Sequence, residues 1–234
     1  MNTFGEAALE SARLILGLDR QLLGSVGLSL EVSIAAAIFA SLIGLPVGAL
    51  IAVQKFPGRR LIVVTLNAFM GLPPVVVGLV VYLLLSRAGP LGDLGILFTP
   101  AAMILAQTVL VLPIIAALTR QAIEDAWREY EEQLRSLGVT PGHAALTLLW
   151  DCRFSLLTAI LAGFGRAIAE VGAVMMVGGN IDSVTRVMTT AIALETSKGD
   201  LPLALGLGAI LLLLVLALNA LVLTIRDFAE RRYG

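Results

Sequence analysis

The chain repeats one feature that few folds accommodate: apolar stretches long enough to cross a bilayer. Residues 28–53, 61–86, 97–119, 154–177 and 201–225 are such stretches, and about 20 apolar residues carry a helix through a hydrocarbon core about 30 Å thick. In that core the backbone must satisfy its own hydrogen bonds, which leaves helices and closed barrels. Long apolar runs without strict alternation select helices. The expected fold class is therefore all-α integral membrane, with five transmembrane helices in one domain over residues 1–234. Composition agrees, with 58% hydrophobic and 14% charged residues and a mean hydropathy of +0.95; soluble domains carry about 25% charge. The lipid bilayer is the first partner this implies. A net charge of −1 gives no reason to expect nucleic acid.

Residues 1–27 read as an interfacial segment, because Phe4, Ala8, Leu9, Ala12, Ile15 and Leu16 recur near helical spacing between charges. Glu6 and Glu10 stand where a basic leader region would, so no removable signal peptide is expected. Lys and Arg placement orients the spans. With a cytoplasmic C-terminus, that side holds Lys55, Arg59, Arg60, Arg120, Arg128, Arg135, Arg153, Arg226, Arg231 and Arg232, and the other side holds Arg13, Arg20, Arg87, Arg186 and Lys198. Ten against five places the N-terminus outside. Residues 120–152 are then a cytoplasmic link and residues 178–200 an external loop.

Several chemistries are poorly supported. A phosphate-binding loop needs a Gly-Lys pair entering a helix, but Lys55 follows Gln54 and Lys198 follows Ser197. The chain therefore has no ATPase site of its own. His143 is the sole histidine and Cys152 the sole cysteine, so neither a disulfide framework nor a His/Cys metal centre is expected. No catalytic residue, metal or cofactor is assigned.

The link from Glu124 to Phe154 is too polar to span and carries helix punctuation. Gly138 suits a left-handed helix stop. Thr140 offers a cap and Pro141 suits a first helical turn, so the link reads as helix, turn, short helix, span. Glu132, Gly138 and apolar Leu148 stand six and ten residues apart. That spacing resembles the EAA motif of binding-protein-dependent ABC importer permeases. Gln133 and Leu134 replace the motif's two alanines, and Trp150-Asp151 its Leu-Pro. "FPGRR" at 56–60, "GLPPVVVGLVVYLLLSRAGPLG" at 71–92, "GRAIAEVGAVMMVGGNI" at 165–181 and "TRVMTTAIALETSKGD" at 185–200 are similar to the molybdate/tungstate branch, nearest to its tungstate-type permeases.

The resemblance implies a type I importer fold, a homodimer of permeases, two ATP-binding ABC subunits and an extracytoplasmic oxyanion-binding protein. The short helix becomes a coupling helix that docks on the ATPase, with Glu132, Gly138, Val139, Thr140, Pro141, Gly142, His143 and Leu146 in or beside that contact. The cargo it implies is tungstate, with molybdate or sulfate as the alternatives. An ATP-independent secondary transporter is the rival class. It predicts an inverted repeat, and five spans contain none.

Arg166 and Glu170 lie four residues apart in the fourth span, a spacing that puts them on one helix face where they can pair. At about 1.5 Å per residue, Arg166 lies roughly 18 Å beyond Phe154, where charges face a bundle interior or a wet cavity. The pair is either structural or part of a pathway or gate. Pro73-Pro74 interrupts the second span and frees backbone carbonyls, which suits a bend on the pathway side. Pro113 makes a weaker case in the third. The external segment suggests a short helix over the pathway mouth, with Gly178, Gly179 and Asn180 as its hinge and Thr185 and Arg186 close by. The ten-to-five asymmetry yields a direct test. A reporter fused after Gly234 should be active only in its cytoplasmic form and one at Met1 only in its external form; both ends on one side would remove the five-span arrangement.

Overall fold

The computed structural model describes residues 20–233. Most of the expected interfacial segment lies outside the described residues. Those residues form α-helices and no strand: α1 (Arg20–Val53), α2 (Arg59–Phe69), α3 (Pro74–Leu85), α4 (Pro100–Ser136), α5 (Pro141–Asp151), α6 (Arg153–Ile168), α7 (Gly172–Gly178), α8 (Met188–Lys198) and α9 (Leu201–Tyr233), with a single 3₁₀ turn at Gly92–Leu94. Three helices are apolar and long enough to cross a membrane, and bent helix pairs raise the number to as many as five.

The expected second span is two helices. The chain turns through 102° between α2 and α3, because Pro73-Pro74 cannot continue the ladder. The fourth span is likewise divided: α6 stops at Ile168 and α7 starts at Gly172. Arg166 is in the last turn of α6, while Glu170 lies in the non-helical link, so the expectation that the two share one helix face is corrected. Tertiary bonds replace the helical ones at this break. The Glu170 carboxylate accepts the Ala173 N–H at 3.0 Å, and its carbonyl accepts the Thr189 hydroxyl at 2.7 Å. The helix of the third span continues beyond residue 119 into the link, running as α4 to Ser136 without interruption at Pro113.

Two compact units divide the chain. The first gathers the residues up to Ile34, Pro74–Gln107 and Ile168–Leu221. Within it α3 packs on α7, and a Cβ on Gly78 would lie 2.7 Å from Ala173 Cα. The Phe98 N–H donates to the Val177 carbonyl at 2.9 Å.

The second unit gathers Ala35–Pro73, Thr108–Ala167 and the chain from Val222. Here α1 crosses α4 at two glycines: a Cβ on Gly44 would meet Ile115 Cγ2 at 3.2 Å, and one on Gly48 would meet the Ala116 carbonyl oxygen at 2.5 Å and Thr119 Cβ at 2.9 Å. Gly163 of α6 faces Val111 and Ile115 just as closely, so it is used within the chain. Such close approach lets helices associate where lipid removes the hydrophobic drive between them. Gly48→Val should therefore cost about 1–3 kcal/mol through overpacking and lower the melting temperature in detergent. Gly142→Ala, with nothing within 4 Å of the added carbon, should leave it unchanged; equal melting temperatures would refute this packing.

Candidate functional site

In the second unit the α4–α5 turn forms because Gly138 adopts φ 72°, a left-handed conformation that only glycine enters without strain. The Val139 N–H returns to the Leu134 carbonyl at 3.0 Å, and α5 starts at Pro141. Thr140 does not cap the helix through its side chain; its hydroxyl instead meets His143 Nδ1 at 2.7 Å, a correction to the expected cap. One face of α5 is buried: Ala144, Ala145 and Leu148 pack with Ala49, Ala52 and Val53 of α1 and Ile123 and Trp127 of α4. The opposite face is bare. Pro141, Gly142 and His143 are exposed, Leu146 is 67% exposed and Trp150 is 72% exposed. The Arg153 guanidinium lies 5.1 Å from the Trp150 ring and 4.6 Å from the Phe154 ring.

An ion-pair network braces this end. Arg59 donates to the Ile51 carbonyl at 2.8 Å, satisfying a free acceptor at the end of α1, and reaches Glu124 at 3.3 Å. Glu124 also pairs with Arg120 and, at 3.6 Å, with Arg128. Further along, Lys55 and Arg135 hold Glu131 Oε1 at 3.0 and 2.8 Å. Glu132, by contrast, is exposed. The basic residues were visible in the sequence, but their convergence on Glu124 and Glu131 depends on α1 and α4 meeting.

The first unit holds a second cluster. Ser29 and Ser33 of α1, Gln107 of α4, Glu170 of the break and Thr189 of α8, with Ile168 and Val187, line one tightly closed crevice. All are buried. Ser29 Oγ accepts the Met188 N–H at 2.7 Å, so α8 is tied to α1 as well as to the break. Polar side chains in apolar helices are costly and face one another or a pathway; this cluster offers hydroxyls, an amide and a carboxylate within one wall. Sequence reading found Glu170 but missed Ser29, Ser33, Gln107 and Thr189. The available signal was Ser25, Ser29 and Ser33 at one-turn spacing on a largely apolar helix.

The remaining expected site residues are dispersed. Arg166 is half-buried. Pro73 and Pro74 form the bend between α2 and α3. The second half of the segment 178–200 is the helix α8, with Met188, Thr189, Thr190, Ala191 and Glu195 buried. Gly178 ends α7, and Gly179 and Asn180 take left-handed φ of 72° and 50°. Thr185 pins this turn, donating to the Gly178 carbonyl at 2.6 Å and accepting the Ile181 N–H at 2.9 Å. The residues expected to hinge thus sit in a turn that Thr185 bonds together. Arg186 pairs with Asp182 at 2.9 Å.

Comparison with known proteins converges on one family. Residues 44–234 match the family described as binding-protein-dependent transport system inner membrane component. A probable anion ABC transporter permease protein of Haloferax volcanii is 42% identical over 91% of this chain and 94% of its own length. The tungstate uptake system permease protein TupB of Peptoclostridium acidaminophilum is 37% identical over 97% of this chain and 100% of its own. Its counterpart in Campylobacter jejuni is 40% identical over 70% of this chain and 69% of its own.

The α4 network generates a pH-dependent expectation. The Lys55 hydrogen bond is the main cause holding the Glu131 carboxyl below the usual carboxylate range; partial desolvation opposes it and the Arg135 charge assists. A folded-state value below the unfolded one, near 4.3 for glutamate, means the contribution is present above the unfolded value and lost as pH falls through the folded one. Wild type should therefore melt slightly above Glu131→Gln at neutral pH, and the gap should close from about pH 5 downward. A gap that widens on acidification would contradict this assignment.

Proposed function

The chain belongs to the family of binding-protein-dependent transport system inner membrane components, and from that premise we propose that it is the membrane-spanning subunit of an ABC importer for tungstate. It is a multi-pass membrane protein and a transport permease component. In this reading two copies pair, two ATP-binding subunits dock beneath them, and an oxyanion-binding protein delivers cargo to the external face. The N-terminus is outside and the C-terminus cytoplasmic, as the basic residues suggest. Hydrolysis belongs to the docked subunits, because no phosphate-binding loop is present.

The observation that carries this reading is α5: a short helix with one face buried on α1 and α4 and the other bare, presented by the left-handed Gly138. The bare face, with Pro141, Gly142, His143 and Leu146, is where the ATPase sits, and Trp150 extends it. ATP is needed because a dianion entering against a negative-inside potential faces about 4.6 kcal/mol per 100 mV, twice the single-charge value. Inside the membrane Arg166 compensates lost hydration through charge-assisted hydrogen bonds. Glu170 moderates that attraction, and α8 with Arg186 lies at the external mouth.

Reconstitution with the ATPase and binding protein tests the whole reading. Tungstate should stimulate ATP hydrolysis most, molybdate less and sulfate least; equal stimulation without any anion would refute an importer. In the same assay Gly138→Val, costing about 1–3 kcal/mol in backbone strain, should uncouple the ATPase. Arg166→Gln should abolish uptake with the complex intact. If the Arg166→Gln, Glu170→Gln double variant transports at the wild-type rate, those two charges are structural only.

A further inference from the structure

Among the residues that line the polar crevice, Glu170 alone carries a carboxylate, and it is 3% exposed. It stands in the non-helical link between α6 and α7, so no helical ladder sets the direction of its side chain. Bonds to two other elements do so instead. Its carboxylate accepts the Ala173 N–H from the first turn of α7 at 3.0 Å, and its backbone carbonyl accepts the Thr189 hydroxyl from α8 at 2.7 Å. A glycine keeps the space beside the carboxylate: a Cβ on Gly172 would lie 2.9 Å from Val75 Cγ2 and 3.6 Å from Glu170 Oε1.

The Thr189 hydroxyl is itself held in place. Met188 and Thr189 are the first two residues of α8, and the opening N–H groups of a helix have no acceptor within it. Ser29 of α1 takes that of Met188 at 2.7 Å, and Ser29 and Thr189 are both buried. Thr190, next in line, turns its hydroxyl back on Val187 at 3.1 Å and does not line the crevice. A relay therefore runs from α1 to the start of α8 and from there to the backbone of Glu170. Hydrogen bonds weaken steeply once their geometry is lost, so a small displacement of α8 is enough to release the carbonyl.

We propose that Thr189 is a positioning residue for transport: through its hydroxyl, α8 sets where the Glu170 carboxylate stands. This rests on the role given to Glu170 above and adds the element that controls it. A carboxylate held to Ala173 and fixed at its own backbone has one orientation. Freed at the backbone, it keeps its charge but swings about the Ala173 bond. The segment 178–200, which in the permease reading faces the outside, thereby reaches a charge inside the membrane through one hydroxyl. A staple that only closed the α6–α7 break would be needed for folding and would leave the anion response untouched.

Isosteric replacement separates the two. In the reconstituted complex, Thr189→Val should assemble at the wild-type level, hydrolyse ATP severalfold faster than wild type without anion, and take up tungstate severalfold more slowly; Thr189→Ser should restore both rates. Ser29→Ala, which loosens the relay one step earlier, should shift them in the same direction by less. Thr190→Val removes a buried hydroxyl outside the crevice and should change neither. In a Glu170→Gln background Thr189→Val should add nothing, because residues that act through one group are not additive. Amide hydrogen exchange at Ala173 in the detergent-solubilised complex gives a readout independent of transport: Thr189→Val should raise it severalfold and Thr190→Val should not. Unchanged Ala173 exchange, full anion dependence, or loss of assembled complex in Thr189→Val would each overturn the positioning role, as would an additive loss in the double variant. A wild-type complex that ignores every anion, while Ala173 exchange still responds to Thr189→Val, defeats the importer reading alone.

Discussion

Hydrocarbon gives the backbone no hydrogen-bond partner, and most local features of this chain follow from how it meets that requirement. Long helices meet it automatically. Interest concentrates where the ladder stops, at the α2–α3 elbow and at the α6–α7 break. The break is repaired within its own unit: Glu170 takes the Ala173 N–H onto its carboxylate and offers its carbonyl to Thr189. At the elbow, no donor among the described residues reaches the carbonyls of Met70, Gly71 or Leu72. The same physical demand therefore produces an internal bonded cluster in one place and an outward-facing acceptor surface in the other.

Part of this was legible in the sequence. Gly138, Pro141 and the acid-rich run before them announce a helix, a stop and a second helix, and the structure has them at those positions. Pro73-Pro74 likewise marks the elbow by removing a donor and restricting the preceding residue. The α6–α7 break was not legible, because nothing in "GRAIAEVGAV" forbids a helix. It exists because a hydroxyl nineteen residues on and the local carboxylate compensate for the lost ladder bonds. Ser29 and Gln107 escaped notice for a related reason. A lone hydroxyl in an apolar helix is ordinarily absorbed by its own turn, as Ser41 is by the Ala37 carbonyl at 2.6 Å, so only tertiary structure distinguishes a serine that reaches across to Met188.

The ion pairs around Glu124 and Glu131 have a comparable status. Their individual energies are small at exposed positions, yet their arrangement is specific: Arg59 simultaneously closes the end of α1 and ties it to α4. That fixes the floor on which Ala144, Ala145 and Leu148 rest. A docking helix needs a rigid seat more than it needs strong bonds, because its work is to hold one orientation while a partner presses on it.

The last helix stands apart. Little of the apolar portion of α9, Leu201–Val222, is covered by the rest of the chain, and its 22 residues rise about 33 Å, close to the bilayer's own hydrocarbon depth of about 30 Å. Its placement is therefore set chiefly by lipid. In a membrane a few ångströms thinner, α9 would accommodate the mismatch by leaning, at a fraction of a kcal/mol per ångström, while the interlocked helices elsewhere keep their registry. Changes in acyl-chain length would thus be read first at this peripheral helix, making it the part of the protein most directly tuned to the composition of its host membrane.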